Sequence, residues 1–315
     1  KVVVKVTKMP TKDKKAEGKI IEILGNIDQA GIDMMSLVRE YDLPYEFPEP
    51  VLIEAKGIKQ EIDEKKIKNR LDLRNEEIFT IDGEDAKDLD DAVQVKKLDN
   101  GNFMLGVHIA DVSNYAKVGT ALYDSAFSRG TSSYLADTVI PMLPHQLSNG
   151  ICSLNPEVVR LTISCVMTIN DAGKVIDYDI FPSYIKSRKQ MTYKNVNKIL
   201  DENKVPKGYE EFVDTLKTMH ELAKILRKEK INRGYIDFGI DEAKVIQDKK
   251  GRAIDIVKRV QGTGEKLIED FMICANETVA EKFYWLQAPF IYRNHEAPDV
   301  DKVKELNKSL QSIGW

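Results

Sequence analysis

From Asp82 to Asp91 the chain reads DGEDAKDLDD, and this acidic stretch separates two short apolar runs, residues 78–81 (IFTI) and residues 92–95 (AVQV). Six of its ten residues are carboxylates and one is a lysine. Carboxylates packed this closely repel one another by about 1 kcal/mol per pair at ~4 Å in water, and by more in less polar surroundings. An acidic, glycine-containing turn suits a hard divalent cation such as Mg²⁺ or Mn²⁺. The stretch therefore predicts a cation site held between two strands.

The acidic stretch has other interpretations. Charge clusters are mostly surface features, but solvated acidic tracts lie in polar, low-complexity surroundings, whereas this one interrupts two strand-like runs. An EF-hand is excluded, because its loop needs glycine at the sixth position and glutamate at the twelfth; here Gly83 is second and Val93 is twelfth. A nucleotide-sugar transferase could use Asp88 and Asp90 as metal ligands. The chain lacks the alternating strand-helix pattern with a glycine-rich turn that such an enzyme would need.

The spacing of Asp82, Asp88, Asp90 and Asp91 resembles that of the metal-binding aspartates in the ribonuclease II/R family of RNB-type exoribonucleases. Further blocks resemble this family in the same order along the chain: DLR at residues 72–74, GVHIADVS at 106–113, RGTSSY at 129–134, IPMLP at 140–144 and LSNGICSLNP at 147–156. The residues before Asp72 are similar to the part of bacterial family members that leaves a cold-shock domain. The resemblance covers essentially the whole chain, and ordered blocks are far more specific than one acidic loop.

The resemblance implies a processive 3′-to-5′ exoribonuclease that hydrolyses single-stranded RNA to 5′-mononucleotides. It implies that Asp82, Asp88, Asp90 and Asp91 are both catalytic and metal-binding, with Mg²⁺ as the cofactor and Mn²⁺ as a substitute. Two Mg²⁺ ions ~3.5–4 Å apart can activate water, stabilise the leaving oxygen and neutralise the phosphate. Asp90 and Asp91 are the strongest candidates, because adjacent residues on an irregular turn can address two sides of one phosphate. The alternative is a non-catalytic RNA-binding protein of the same fold, which would be expected to have lost members of this set.

Four further residues match family positions that bind RNA. Tyr134 and Phe238 match the aromatic clamp that stacks on bases at the 3′ end, an interaction worth ~1–3 kcal/mol per base. Tyr193 and Glu269 match residues associated with the ribose 2′-hydroxyl, the group that distinguishes RNA from DNA. Without the resemblance, the aromatic residues would be assigned to core packing and Glu269 to an exposed helix face.

The overall charge does not indicate a nucleic-acid partner, since the 315-residue chain has a net charge of −4. The distribution of the charges along the chain does indicate such a partner. Residues 1–20 hold seven lysines, and residues 183–200 hold five basic residues and no acid. Basic strips beside an acidic metal loop suit an enzyme that grips a phosphate backbone and cuts it at a bound cation. Each strip alone could equally be a solvated lysine face, so the expected partner, the 3′ end of single-stranded RNA, depends on the resemblance.

The pattern of elements predicts an α+β fold: a mixed or antiparallel-sheet catalytic domain with packed helices, preceded by the C-terminal part of a cold-shock (OB-type) β-barrel. We assign the barrel end and a linker to residues 1–50, and the catalytic domain to residues 51–315. Residues 42–50 hold three prolines and are expected to lack regular structure. The expected strands lie at residues 2–6, 18–24, 103–109, 162–169 and 175–181, and the expected helices at 210–233, 267–286 and from 299 to about 314.

The cellular setting follows from the cysteines and the hydropathy. Three widely separated cysteines predict reduced, buried thiols and a cytoplasmic location. No apolar run approaches the ~20 residues of a membrane span, so we expect no membrane association. We also expect the protein to be a monomer. The chain starts without methionine, which suggests a fragment. The resemblance implies that the catalytic domain continues past Trp315 with a phosphate-stabilising arginine, so the 315 residues alone are expected to show little or no turnover.

Overall fold

A computed structural model describes residues 1–63, 67, 69–135, 138–236, 242–248, 252–294 and 296–315. The chain divides into two compact units, Lys1–Ala275 and Asn276–Trp315. The strands are β1 Val2–Lys8, β2 Glu17–Ile23, β3 Leu71–Asp72, β4 Thr80–Asp82, β5 Asp91–Lys97, β6 Phe103–Ala110, β7 Ser133–Tyr134, β8 Val139–Ile140, β9 Val159–Ile169, β10 Val175–Lys186, β11 Gln190–Thr192, β12 Glu242–Gln247 and β13 Ala253–Arg259. The α-helices are α1 Ile32–Glu40, α2 Glu49–Gly57, α3 Ala121–Arg129, α4 Tyr193–Leu200, α5 Val213–Asn232, α6 Thr263–Trp285 and α7 Val300–Ser312.

The central sheet has five strands in the order β3-β10-β9-β6-β5. The pairs β5–β6, β6–β9 and β9–β10 are antiparallel, and only the β10–β3 pair within this sheet is parallel. The predicted hairpin of β9 and β10 is present; at its turn the Asn170 side chain accepts hydrogen bonds from the Ala172 and Lys174 amides at 3.1 and 2.9 Å. Gly173 has φ +80°, a conformation that glycine adopts without strain. The predicted α+β class with a mixed sheet is confirmed.

A row of polar side chains crosses this sheet inside the core. His108 on β6 shares a 2.6 Å hydrogen bond with Ser164 on β9, and Ser164 shares another with Ser183 on β10. Complete burial lowers the pKa of His108 to about 3, so the imidazole is neutral at physiological pH. These two hydrogen bonds join side chains of three neighbouring strands, β6, β9 and β10.

The apolar core holds the acidic stretch in place. One cluster of buried side chains gathers residues on both sides of the stretch and one residue within it, Leu89, which is completely buried. The members of the cluster are Ile78, Leu89, Ala92, Ala110, Leu154 and Ile185. A leucine buried in the middle of an acidic loop anchors the loop to the core.

Several element boundaries differ from expectation, among them the expected strands at 162–169 and 175–181, which run over 159–169 and 175–186, and two of the differences have a clear local cause. The segment expected to be an irregular linker ends at residue 48, because α2 begins at Glu49 with Pro50 in its first turn, a position where proline is tolerated. Helix α6 begins at Thr263, earlier than expected. The Glu265 carboxylate accepts a hydrogen bond from the Gly262 amide at 3.0 Å and so satisfies a backbone donor at the helix start.

In the described ranges, no helix combines the length and the apolar composition that a bilayer crossing requires. All three cysteines are buried thiols, as expected.

The helix expected at residues 210–233 is present as a single 3₁₀ turn, Glu210–Phe212, followed by α5. Helix α5 ends just before Gly234, which has φ +99°.

We expect the substitution Leu89→Ala to lower the free energy of unfolding by about 2–4 kcal/mol, because it removes a fully buried side chain and leaves a cavity. Leu71→Ala is the matched control: Leu71 is 53% exposed, and its loss is expected to cost less than about 1 kcal/mol. Urea denaturation in the presence of EDTA measures both. A cost for Leu89→Ala as small as that of the control would show that the loop is not anchored in the core.

Candidate active site

The backbone of the acidic loop is held on both sides. The amide of Leu89 donates to the Ser153 hydroxyl at 3.1 Å, and that hydroxyl donates to the Lys87 carbonyl at 2.8 Å. The Leu154 amide donates to the Leu89 carbonyl at 2.9 Å, and the Ala110 amide donates to the Asp90 carbonyl at the same distance. Four backbone and hydroxyl contacts therefore fix the loop against two other segments of the chain.

Ser153, which holds the backbone of the acidic loop, is a residue that the sequence reasoning missed. It lies within the LSNGICSLNP block, yet nothing in the sequence assigns it a partner 64 residues away. The available signal was a small polar residue between two apolar ones, Cys152 and Leu154, which predicts a buried hydroxyl that needs hydrogen-bond partners. Ser153 is completely buried.

Burial and neighbouring carboxylates raise the pKa values of two of the four aspartates, Asp82 and Asp90. The pKa of Asp82 rises to about 7, because its side chain is partly buried and because the charge of Asp91, with those of the other two, disfavours ionisation. Asp90 is solvent-accessible, yet protein atoms around it limit its hydration and Asp88 and Asp91 repel its charge, so its pKa rises to about 6. Burial also raises the pKa of Asp91. The structure therefore brings all four predicted carboxylates within electrostatic reach of one another.

The donor set fits a hard cation. Every donor in the set is a carboxylate oxygen, and Asp82 Oδ2 is buried with no hydrogen-bond partner among the described residues. As they stand, however, no three His, Cys, Asp or Glu side chains in the described part of the chain converge closely enough to hold a metal ion. The metal-binding role of the four aspartates stays a prediction.

Two cavities flank the acidic loop. The first, which we call the Tyr134 cavity, has a volume of about 510 Å³, and its lining includes Asp88, Asp90, Tyr123, Phe127, Tyr134 and Cys152. The second, the Tyr193 cavity, has a volume of about 590 Å³, and its lining includes Asp82, Glu84, Asp85, Tyr193, Lys194 and Glu265. The loop thus presents Asp88 and Asp90 to one cavity and Asp82 to the other.

Tyr134 lies directly at the aspartates. Its hydroxyl donates a hydrogen bond to Asp88 Oδ2 at 3.2 Å, while 69% of the residue remains exposed to solvent. Partial burial and the nearby charge of Asp88 raise the pKa of Tyr134, so it stays neutral. An exposed aromatic ring tethered at its tip is suited to stacking. Phe238, its predicted partner in the clamp, lies outside the described residues.

Tyr193 and Glu269 are placed differently. Strand β11 pairs with β4 in a register that sets Thr192 opposite Asp82, and Tyr193, the next residue, therefore enters the cavity beside Asp82. Glu269 on α6 accepts a hydrogen bond from Lys230 Nζ at 3.2 Å and does not line that cavity; Glu265, one turn earlier, does. The predicted contacts of both residues with the ribose stay predictions.

The basic strip at residues 183–200 is partly neutralised by the protein itself. Lys194 Nζ contacts both carboxylate oxygens of Glu84, at 3.0 and 3.2 Å, and Lys186 pairs with Glu157 at 2.6 Å. Both lysines are at least 40% exposed, and exposed ion pairs are weak. A phosphate backbone could therefore displace these partners at little cost.

Comparison with known proteins places this geometry in a family. A model of the RNB domain matches residues 70–314, and a model of the cold shock domain matches residues 1–48. The chain belongs to the RNB domain family. The family resemblance predicted from the ordered blocks is confirmed, as is the cold-shock character of the N-terminal part.

Several RNB relatives match along the whole chain. Ribonuclease R of Thermotoga maritima is 51% identical over 317 residues, which cover 100% of this chain and 45% of the relative. Ribonuclease R of Escherichia coli is 38% identical and is matched over 99% of this chain and 39% of the relative. The chain therefore spans less than half the length of these curated relatives.

Solved structures agree with this assignment. Mycoplasma genitalium RNase R in complex with ribose methylated single-stranded RNA superposes with a TM-score of 0.93 at 28% identity, over 99% of this chain and 48% of that one. Yeast Ssd1, a pseudonuclease, superposes with a TM-score of 0.74 at 18% identity, over 99% and 39%. The second match shows a shared fold alone.

We expect Asp82→Asn to stabilise the metal-free protein at pH 8 by about 1–3 kcal/mol, because it removes a charge from a crowded, partly buried site. The native Asp82 retains its proton to about pH 7, whereas an unfolded chain releases it near pH 4. The native state therefore binds more protons across that interval, and wild-type stability falls as the pH rises through it; the variant lacks this component.

Urea denaturation at pH 5 and pH 8 in EDTA measures this difference. Asp99→Asn, at an exposed carboxylate in the β5–β6 turn, is the matched control and is expected to change stability by less than about 0.5 kcal/mol. An Asp82→Asn variant that is less stable than the wild type at pH 8 would contradict the electrostatic account.

Proposed function

We propose that the full-length protein containing this chain is a 3′-to-5′ exoribonuclease that hydrolyses single-stranded RNA processively to 5′-mononucleotides. The observation that carries the proposal is the core-anchored loop that sets Asp82, Asp88, Asp90 and Asp91 within reach of one another beside an exposed aromatic ring, in a chain of the RNB family. The activity is proposed for the full-length protein, because the chain spans less than half the length of its curated relatives.

The four aspartates would hold Mg²⁺, with Mn²⁺ as a substitute. When bound, two such ions supply an activated water and stabilisation of the leaving oxygen. The protein holds the carboxylates at fixed positions through Leu89 and Ser153, so that the repulsion among them is available to favour cation binding. The buried, unpartnered Asp82 Oδ2 supports this assignment.

The substrate would approach through the Tyr134 cavity. Tyr134 would stack on a base near the 3′ end, and its hydroxyl, held by Asp88, would fix the distance between that base and the carboxylates. Phe238 would complete the clamp. Tyr193, beside Asp82, would contact the ribose and favour RNA over DNA, and Glu269 would assist it.

The cellular setting is part of the same proposal. Three buried cysteine thiols support a reducing, cytoplasmic environment and argue against a disulfide framework. We also propose that the protein acts as a monomer on RNA 3′ ends. A phosphate-stabilising arginine outside these 315 residues would be needed for full turnover, since loss of one such donor costs ~100- to 1,000-fold.

The proposal is tested by hydrolysis of a single-stranded RNA with an accessible 3′ end, with the matching DNA as a control, in Mg²⁺ or in EDTA. We expect the full-length protein to release 5′-mononucleotides from RNA only. We expect Asp90→Asn to lower the rate of hydrolysis by ~100-fold or more, because it removes a carboxylate that would hold the metal ion at the scissile phosphate. The 315-residue chain is assayed beside it.

Asp99→Asn is the matched control and is expected to retain the wild-type rate. RNA binding by the full-length protein without hydrolysis in any divalent metal would overturn the nuclease proposal. The alternative, an RNA-binding protein without catalysis, would then be favoured, in keeping with the shared fold of the pseudonuclease Ssd1.

A further inference from the structure

Arg129, the last residue of α3, makes an unusual number of contacts. Its guanidinium donates to the Pro44 carbonyl at 2.5 Å, to the Glu46 carbonyl at 2.7 Å and to the Pro141 carbonyl at 3.2 Å. A fourth, longer bond goes from Nε to the Ser125 hydroxyl at 3.4 Å. The guanidinium carbon also lies 3.8 Å from the centre of the Phe47 ring. One side chain thus joins residues that lie 85 positions before it and 12 positions after it.

One group of partners is the linker, residues 44–48. The linker forms the last five residues of the segment that matches the cold shock domain, and α2 follows it directly. Helix α2 is in turn attached to α3, because the Glu54 carboxylate accepts a hydrogen bond from the Leu122 amide at 2.9 Å. Arg129 therefore binds the linker to the same helix that carries α2.

The other partner belongs to the β7–β8 pair, which carries Tyr134. Pro141 follows β8 directly, and the neighbouring Met142 amide donates to the Ser132 hydroxyl at 3.0 Å. Arg129 and Ser132 thus make their contacts at the end of the pair where β7 begins and β8 ends. At the other end Tyr134 reaches Asp88. A continuous chain of contacts leads from the linker through Arg129 and the β7–β8 pair to the acidic loop.

We propose that Arg129 is a positioning residue that couples the linker at residues 44–48 to the β7–β8 pair, and through it sets Tyr134 over Asp88 for RNA binding. The inference rests on the proposed function only for the role of Tyr134 in binding RNA. Arg129, the first residue of the RGTSSY block, thereby gains a structural role, although the proposed nuclease mechanism does not otherwise use it.

The chemistry of the contacts requires arginine. Three carbonyl acceptors arranged around one planar group match the fixed fork of guanidinium donors, and the flat face of the group stacks on Phe47. A lysine has a compact ammonium that keeps the charge but cannot serve separated acceptors and an aromatic face together. Arg129→Lys therefore removes the coupling while retaining the positive charge that a phosphate would sense.

The first test needs no RNA. Hydrogen exchange is compared between wild type and Arg129→Lys, with Arg233→Lys as the matched control, an exposed arginine paired with Glu229 at 2.7 Å on the surface of α5. We expect Arg129→Lys to raise exchange about tenfold in peptides covering both residues 42–51 and residues 133–142, and to leave the β9–β10 hairpin unchanged. A rise in only one of the two segments would overturn the coupling.

The second test is a double-mutant cycle for the affinity of a single-stranded RNA, measured on the full-length protein and on the 315-residue chain. We expect Arg129→Lys to weaken binding ~5- to 30-fold in the wild-type background and by less than about twofold in the Tyr134→Ala background. A residue with a merely structural role, or one that binds phosphate directly, would weaken binding equally in both backgrounds.

The outcomes of the cycle separate the two proposals. Equal losses in both backgrounds, with RNA binding by the wild type intact, would overturn the role of Arg129 alone. Absence of RNA binding by the wild type would overturn the proposed function and this inference with it. The Arg233→Lys control is expected to change affinity by less than about twofold in either background.

Discussion

The site depends on like charges that the fold does not allow to separate. Leu89 is buried in the core, and Ser153 binds the backbone on either side of it, so the acidic loop cannot move away to relieve its repulsion. Limited hydration of the two side chains, together with the charges of the neighbouring aspartates, raises the pKa values of Asp82 and Asp90. Charge repulsion that lowers the stability of the folded protein is typical of functional sites, where a bound ligand offsets the repulsion.

Two strand pairs of the surrounding fold bring aromatic side chains to the acidic loop. The register of β4 and β11 brings Tyr193 beside Asp82, and the β7–β8 pair brings Tyr134 to Asp88. Two cavities result, on different sides of one loop. A nuclease needs this separation of tasks, because the reacting phosphate, the stacked base and the ribose must be held at the same time by different groups.

The sequence predicted local features well and long-range ones poorly. Alternating or helical apolar patterns predicted the β9–β10 hairpin and α5, because such patterns arise from neighbouring residues. They could not reveal the contact of Ser153 with Leu89, nor those of Arg129 with the linker, because nothing in the local pattern specifies a partner 64 or 85 positions away. The start of α2 was missed for a different reason: prolines that usually break helices are accepted in a first turn.

The central claim is that the acidic loop is a cation site, and direct titration with Mn²⁺ at pH 8, followed by electron paramagnetic resonance, tests it without any substrate. We expect saturable binding of one or two ions that Mg²⁺ displaces, weakened at least tenfold by Asp90→Asn and unchanged by Asp99→Asn. Equal Mn²⁺ binding by wild type and Asp90→Asn, or no saturable binding by either, would contradict it.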